Sequence, residues 1–228
     1  MLNTLTFHEV AYRVHCNPII GRILKTRPYL LDEALQGCPR VLDLGCGPSS
    51  LLQHCHGIEY SVGVEVFQPY LDASAKAKIH DEYIAANLCD VEFPDRSFDA
   101  VFLGEVIEHL PEPEARVLLA KAERWARKKV VVTTPNGFTN QPEVDGNAFQ
   151  RHLSGWDVDR LSEMGYDVRG LWGWKALMND HNDGDIFQLV KFRPRYFWFG
   201  VLALTQTFTY YSPRSAFALF AVKKTSAG

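Results

Sequence analysis

Val41-Leu-Asp-Leu-Gly45-Cys-Gly47-Pro-Ser49 decides the fold. Its first half is a short apolar run of the kind that fills a sheet buried on both faces, and its second half is a glycine turn. Glycine at 45 and 47 lets the backbone turn sharply and approach a ligand, which a β-carbon would prevent. Outward from this stretch the theme repeats. Tyr60-Ser-Val-Gly-Val-Glu65, Phe98-Asp-Ala-Val-Phe-Leu103 and Val130-Val-Val-Thr-Thr134 are further apolar runs, with helical segments between them. The clearest helix is expected over 112–128. Glu112 and Glu114 lie in its first turn, Leu118, Ala122, Trp125 and Ala126 on one face, and Arg127, Lys128 and Lys129 at its C-terminal end. That charge order complements the helix dipole. Strands alternating with helices imply a parallel sheet covered on both faces, so the fold class is α/β.

The flanks read differently. Residues 8–35 carry apolar positions at helical spacing, broken by Pro18 and Pro28 and closed by Gly37. After Pro135 a loop rich in Asn, Gln, Pro and Gly leads to Ser154-Gly-Trp-Asp157, which reads as a capping box opening a short helix that Gly165 ends. Tyr166 to Leu171 and Ser215 to Val222 read as further strands, with a polar stretch at 179–184 and an aromatic-rich segment between them. There is no internal repeat and no low-complexity linker. The expected organisation is one domain over 1–228, with an N-terminal helical segment (1–37) and an insertion at 173–214 before the last strand.

Composition narrows the class. The 228 residues are 46% hydrophobic and 22% charged, which suits a globular domain and excludes wholesale disorder. A net charge of −3 offers no general field for nucleic acid, so nucleic acid is not an expected partner. Five cysteines (Cys16, Cys38, Cys46, Cys55 and Cys89) are odd in number and form no C-x-x-C pair, and they read as free thiols in a reducing compartment. The first residues lack a basic region followed by an apolar core, and the longest apolar run, Tyr196 to Tyr210, is broken by polar residues. It falls short of the roughly 20 residues a membrane span needs. A cytoplasmic setting is the expectation.

Asp43, two residues before the first glycine, leaves its strand toward the crevice where open α/β sheets bind ligands. Glu65 ends the next strand, where an acid accepts both hydroxyl hydrogens of a ribose. The run Gly45-Cys46-Gly47-Pro48-Ser49-Ser50 lacks the third glycine of a dinucleotide fingerprint. This argues for a nucleoside ligand without bridging phosphates and against an NAD-dependent oxidoreductase.

VLDLGCGPS, then GVE, then AANLCDVEFPDRSFDAVFLGEVIEHL resembles the class I S-adenosylmethionine-dependent methyltransferases, over about residues 38–170. The resemblance implies a Rossmann-like seven-stranded sheet of order 3-2-1-4-5-7-6, with strand 7 antiparallel and helices on both faces. It also implies S-adenosyl-L-methionine as cofactor and S-adenosyl-L-homocysteine as product. By motif position, Asp43, Gly45, Cys46 and Gly47 would surround the methionine part of the cofactor. Glu65 would hold the ribose, Val66 would press on the adenine, and Glu105 would lie near the methionine end. Asn87 and Leu88 occupy the place where the family has an acid and an apolar residue against the adenine. An asparagine both donates and accepts there.

Chemistry on the acceptor is read from two polar clusters. Glu105-Val-Ile-Glu108-His109 follows the fourth strand, and Glu108 or His109 would position the acceptor there. His152 is the candidate general base, since an imidazole takes the proton that a hydroxyl or amine loses. Its competing role is to bond a loop carbonyl and steady the Ser154 cap. Glu105, Glu108, His109 and His152 are also the residue types of a divalent-metal site, as in the small-RNA 3′-terminal 2′-O-methyltransferases that share a Glu-x-x-Glu-His run. The aromatic and acidic signature of those enzymes does not follow His152, and no metal is expected. The expected function is methyl transfer to a small-molecule or glycan-like acceptor. The alternatives are the metal-dependent RNA enzyme and a non-catalytic nucleoside-binding module. The insertion at 173–214 is expected to cover the acceptor side, its apolar run packing on the domain, on a second subunit, or on an apolar acceptor or membrane surface.

Overall fold

Successive residues of the central strands fall on opposite faces of one sheet and feed two separate cores. The computed structural model describes residues 12–179 and 190–225. The strands are β1 (Arg40–Leu44), β2 (Tyr60–Glu65), β3 (Glu82–Ala85), β4 (Phe98–Gly104), β5 (Ala126–Pro135), β6 (Asp167–Trp174) and β7 (Ala216–Lys224). Their order is 3-2-1-4-5-7-6, parallel except for β7, which runs antiparallel to both β5 and β6. This is the expected sheet. The short β3 has no clear apolar run of its own, and its side chains are only half-buried at the sheet edge.

The helices are α1 (Pro18–Leu24), α2 (Arg27–Leu35), α3 (Gln68–Ala77), α4 (Glu112–Trp125), α5 (Val158–Glu163) and α6 (Arg195–Tyr211). Leu42, Leu44, Val101, Leu103, Val130 and Val132 point to one face, where Leu118, Leu119, Ala122 and Trp125 of α4 close the core with Leu161 of α5. Val41, Ala100, Phe102, Val131 and Phe220 point to the other, under Leu30, Leu31 and Leu35 of α2 and Leu202 of α6. Each buried Leu or Phe contributes about 1.5–3 kcal/mol.

Two local expectations are corrected. The long helix ends at Trp125 rather than at Lys128, because Ala126 already pairs with Phe98 as β5 begins. Arg127, Lys128 and Lys129 therefore lie on a strand. Lys128 reaches Asp99, and Arg124 alone is left as a cation in the last helical turn. Ser154 caps no helix: Asp157 caps α5, accepting the N–H of Arg160, and Ser154 Oγ donates instead to the carbonyl of Ile107. The aromatic-rich run forms the helix α6, which packs along β6. Of the expected segments, residues 8–11, the polar residues 180–184 and the last three residues of the tail lie outside the described residues. Among the described residues no helix is long and apolar enough to cross a membrane. All five cysteines are free thiols.

Candidate active site

β1, β2 and β4 end side by side at the point where the strand order reverses, and their carboxyl ends open into a cavity of about 390 Å³. That is within the usual range for small-ligand sites. The turn after β1 is built by its backbone. The N–H groups of Gly45 and Cys46 both donate to the carbonyl of Val64. Gly45 sits at φ +71°, and a β-carbon there would come within 2.6 Å of Val106. Only glycine fits.

Glu65 is nearly buried, and each carboxylate oxygen takes one backbone N–H, from Gly47 at 3.1 Å and from Phe67 at 2.9 Å. These bonds fix the carboxylate at the cavity wall, and each oxygen keeps a lone pair for a hydroxyl. Asp43 lies deeper, accepting a short hydrogen bond from Ser50 Oγ. Burial lifts its carboxyl to about 7; Ser50 opposes the rise and the charge of Glu65 adds to it. His80 Nε2 stands 3.4 Å from Asp43, but burial lowers the imidazole to about 4, so it is neutral and supplies no counter-charge. A buried carboxylate without a cation beside it is suited to the ammonium of an amino-acid ligand. The thiol of Cys46 is pushed far up by burial and by Asp43 and Glu65, which removes it as a nucleophile.

The far end of the cavity is assembled by two segments that the backbone sews together. The carbonyl of Glu108 accepts the N–H groups of Leu153 and Ser154, at 2.8 and 3.1 Å. The carbonyl of Ile107 accepts Ser154 Oγ and the indole N–H of the fully buried Trp156. These bonds bring His152 onto His109, with ring centroids 4.9 Å apart. Ligand atoms of Glu108, His109 and His152 all lie within 4.8 Å of one another. His109 Nδ1 faces the carbonyl of Arg151 at 3.2 Å, and His152 Nδ1 that of Thr139 at 2.8 Å. Each Nδ1 therefore carries the proton as donor, and each Nε2 keeps its lone pair. Burial, then the neighbouring His152, lowers His109 to about 4, and burial lowers His152 as well. Both are neutral near pH 7.

Glu108 is buried, with one oxygen accepting from Thr134 Oγ1 at 2.9 Å. Burial and then the charge of Glu105 hold its carboxyl well above the ordinary range. It caps no helix. Glu105 departs from the cluster: its carboxylate pairs with Arg27 at 3.3 Å. Its backbone is left-handed, at φ +57°, held by an N–H donated to the carbonyl of Thr133 at 2.9 Å. For a residue other than glycine this is strain of the kind kept at functional sites. One carboxylate and two neutral imidazoles with pinned Nδ1 protons make a donor set that fits a divalent transition metal.

Asp43, Gly45, Cys46, Gly47, Glu65, Glu105, Glu108, His109 and His152 all line the one cavity. Val66, Asn87 and Leu88 do not. Val66 follows the end of β2, Asn87 accepts the N–H of Cys89, and Leu88 packs against the core. Sequence reasoning missed Arg27, Tyr70, Thr139 and Trp172. Arg27 stacks over Trp172 at 5.5 Å, and Tyr70 on α3 donates to Asp145 at 2.9 Å, linking α3 to the loop after β5. These residues come from far-apart segments and carry no local motif.

Residues 42–133 match the family described as a methyltransferase domain. A small RNA 2′-O-methyltransferase of Tetrahymena thermophila is 25% identical over 191 residues, covering 73% of this chain and 44% of that protein. The chain thus spans less than half the length of that curated relative. Among solved structures, the methyltransferase domain of bacterial CtHen1-C is 18% identical with a TM-score of 0.52, covering 89% of this chain and 97% of that one. An S-adenosylmethionine-dependent methyltransferase from Archaeoglobus fulgidus is also 18% identical, with a TM-score of 0.50 and coverages of 90% and 98%.

Proposed function

We propose that this chain, which carries a methyltransferase domain on the sheet of the class I S-adenosylmethionine-dependent methyltransferases, transfers the methyl group of S-adenosyl-L-methionine to a hydroxyl of a small-molecule or glycan-like acceptor. One observation carries the reading: a single cavity joins the Glu65–Gly47 cradle to a neutral imidazole, His152, whose Nε2 keeps its lone pair. S-adenosyl-L-methionine supplies a methyl group already activated on a sulfonium. The chain's part is to hold, orient and deprotonate. Glu65 takes the ribose hydroxyls, and the Gly45–Gly47 turn and Asp43 take the methionine end. Glu108 and His109 orient the acceptor hydroxyl, and His152 Nε2 receives its proton. Positioning supplies most of the acceleration, and base assistance adds to it.

A second reading has its own support. The convergence of Glu108, His109 and His152 fits a divalent cation, which would act as a Lewis acid toward an acceptor hydroxyl. The Tetrahymena relative, a small RNA 2′-O-methyltransferase, points the same reading toward an RNA hydroxyl. The two readings part on chelation. Under the first, product formed from a hydroxyl acceptor persists after exhaustive treatment with EDTA. His152→Ala then lowers turnover about a hundredfold or more while S-adenosyl-L-homocysteine affinity is unchanged. Activity lost with EDTA and restored by manganese or cobalt would displace the first reading in favour of the second.

A further inference from the structure

Helix α6 packs one side on the domain and leaves a second apolar stripe in the open. Two polar residues share its inner face with Leu202: Gln206 is 6% exposed and Thr209 is fully buried. Gln206 Nε2 donates to the carbonyls of Lys25 and Gly170, and its Oε1 accepts the N–H of Gly173. Trp198, Phe199, Val201 and Tyr210 pack against the core, while other large apolar residues face outward. Phe197, Leu204, Phe208 and Tyr211 recur at helical spacing on one side, with Leu204 71% and Phe208 67% exposed. Alongside, Thr207 Oγ1 donates to the carbonyl of Ile23, which sets α1 against α6 and continues the ridge with Ile19, 72% exposed, and Ile23. Scattered exposed apolar residues are ordinary, but a row of them across two adjoining helices is not.

The charge around this ridge selects its partner. Residues 12–31 hold Arg13, Arg22, Lys25 and Arg27 and no acid; residues 190–214 hold Lys191, Arg193, Arg195 and Arg214 and no acid. The chain as a whole is net −3. Arg27 is turned inward to Glu105, Arg214 is paired with Asp159 and Lys25 lies over the rings of Tyr29 and Tyr210, so among the described residues of these two segments Arg13, Arg22, Lys191 and Arg193 are the exposed cations. Among the described residues Glu33 borders it beside Arg22, and Asp167, paired with Arg169, lies near Tyr210. We propose that α1 and α6 together form a docking face for an anionic lipid bilayer, with the apolar ridge entering the interface and the basic rim on the headgroups. An apolar stripe flanked by Lys and Arg on a helix too short and too interrupted to span is the pattern of interfacial binding. A second copy of the chain fits less well, since face-to-face pairing would set one basic rim against the other. RNA would leave Ile19, Ile23 and Leu204 without an apolar partner. This inference is independent of the acceptor and of the chemistry in the cavity.

The test is co-sedimentation of the full chain with phosphatidylcholine vesicles, with and without phosphatidylglycerol, at low and high salt. Binding should require phosphatidylglycerol and weaken with salt. The exposed substitutions Leu204→Asp and Phe208→Asp together should abolish it, and Arg22→Glu with Arg193→Glu should weaken it by at least about tenfold. Both variants should keep the wild-type melting temperature, and if the first does not fold, the charge variant decides the matter. Three results would overturn the proposal: no phosphatidylglycerol-dependent binding, binding that the variants leave intact, or a dimer in solution that Leu204→Asp disrupts. Salt-sensitive binding to single-stranded RNA with none to vesicles would also overturn it.

Discussion

Asp43 carries the electrostatic tension of the cavity. It is 1% exposed, and burial, with the charge of Glu65, lifts its carboxyl from 3.8 to about 7. A folded-state value above the unfolded one means that its contribution to stability is fully present below pH 3.8 and is lost as pH rises to about 7. A ligand ammonium reverses the balance by favouring the ionised form, so below about pH 7 binding must release the proton from Asp43. Affinity for S-adenosyl-L-homocysteine should therefore rise with pH and level off above about 7. Calorimetry in buffers of different ionisation enthalpy should find proton release below that point. Proton uptake, or affinity that falls as pH rises, would refute the role given to Asp43. At this scale much was legible in the sequence. The glycine turn marked Asp43, and an acid at the next strand end marked Glu65. The pairing of Glu105 with Arg27 was not legible, because 78 residues separate the partners and nothing in either segment names the other.

The elements show where periodicity misleads. The buried positions Leu202, Gln206 and Thr209 on α6 have helical spacing, but two of the three are polar, and the apolar residues at helical spacing, Phe197, Leu204, Phe208 and Tyr211, mark the exposed face instead of the buried one. Thr205, Thr207 and Thr209, with the aromatic residues around them, favour strands by propensity. Tertiary bonds decide otherwise. Gln206 ties α6 to Gly170 and Gly173 of β6, and a β-carbon at Gly170 would collide with the Thr209 carbonyl, so the close approach itself requires glycine. Gln206→Ala should cost about 1–3 kcal/mol through the buried groups it leaves unpaired. A fall of several degrees in Tm checks this, and an unchanged Tm would mean that apolar contacts alone hold α6. The boundary between α4 and β5 was misread for a related reason. Lys128 and Lys129 are basic enough to suit a helix end, yet Lys129 pairs in register with Ala100 of β4. Strand pairing outweighs the modest gain from a helix dipole.

Across the whole molecule, the strand order fixes where chemistry can occur. The order reverses between β1 and β4, which opens a crevice at their carboxyl ends, and the Glu65–Gly47 cradle and the His109–His152 pair both face that opening. The sheet was legible because four apolar runs, each the length of a strand, alternate with helical segments. The Glu108–His109–His152 end was legible only as a set of residue types. Its geometry depends on the backbone of Glu108 receiving Leu153 and Ser154 across 45 residues, a contact that no spacing rule encodes. The central claim, that this opening holds a nucleoside through Glu65, is tested most directly by calorimetric titration of S-adenosyl-L-homocysteine into the wild-type chain and Glu65→Ala. The wild type should bind the nucleoside in preference to NAD, and Glu65→Ala should lose about 1.5–3 kcal/mol of binding free energy with the hydrogen bonds to that carboxylate. Equal affinity in the two proteins, or a preference for NAD, would contradict the account.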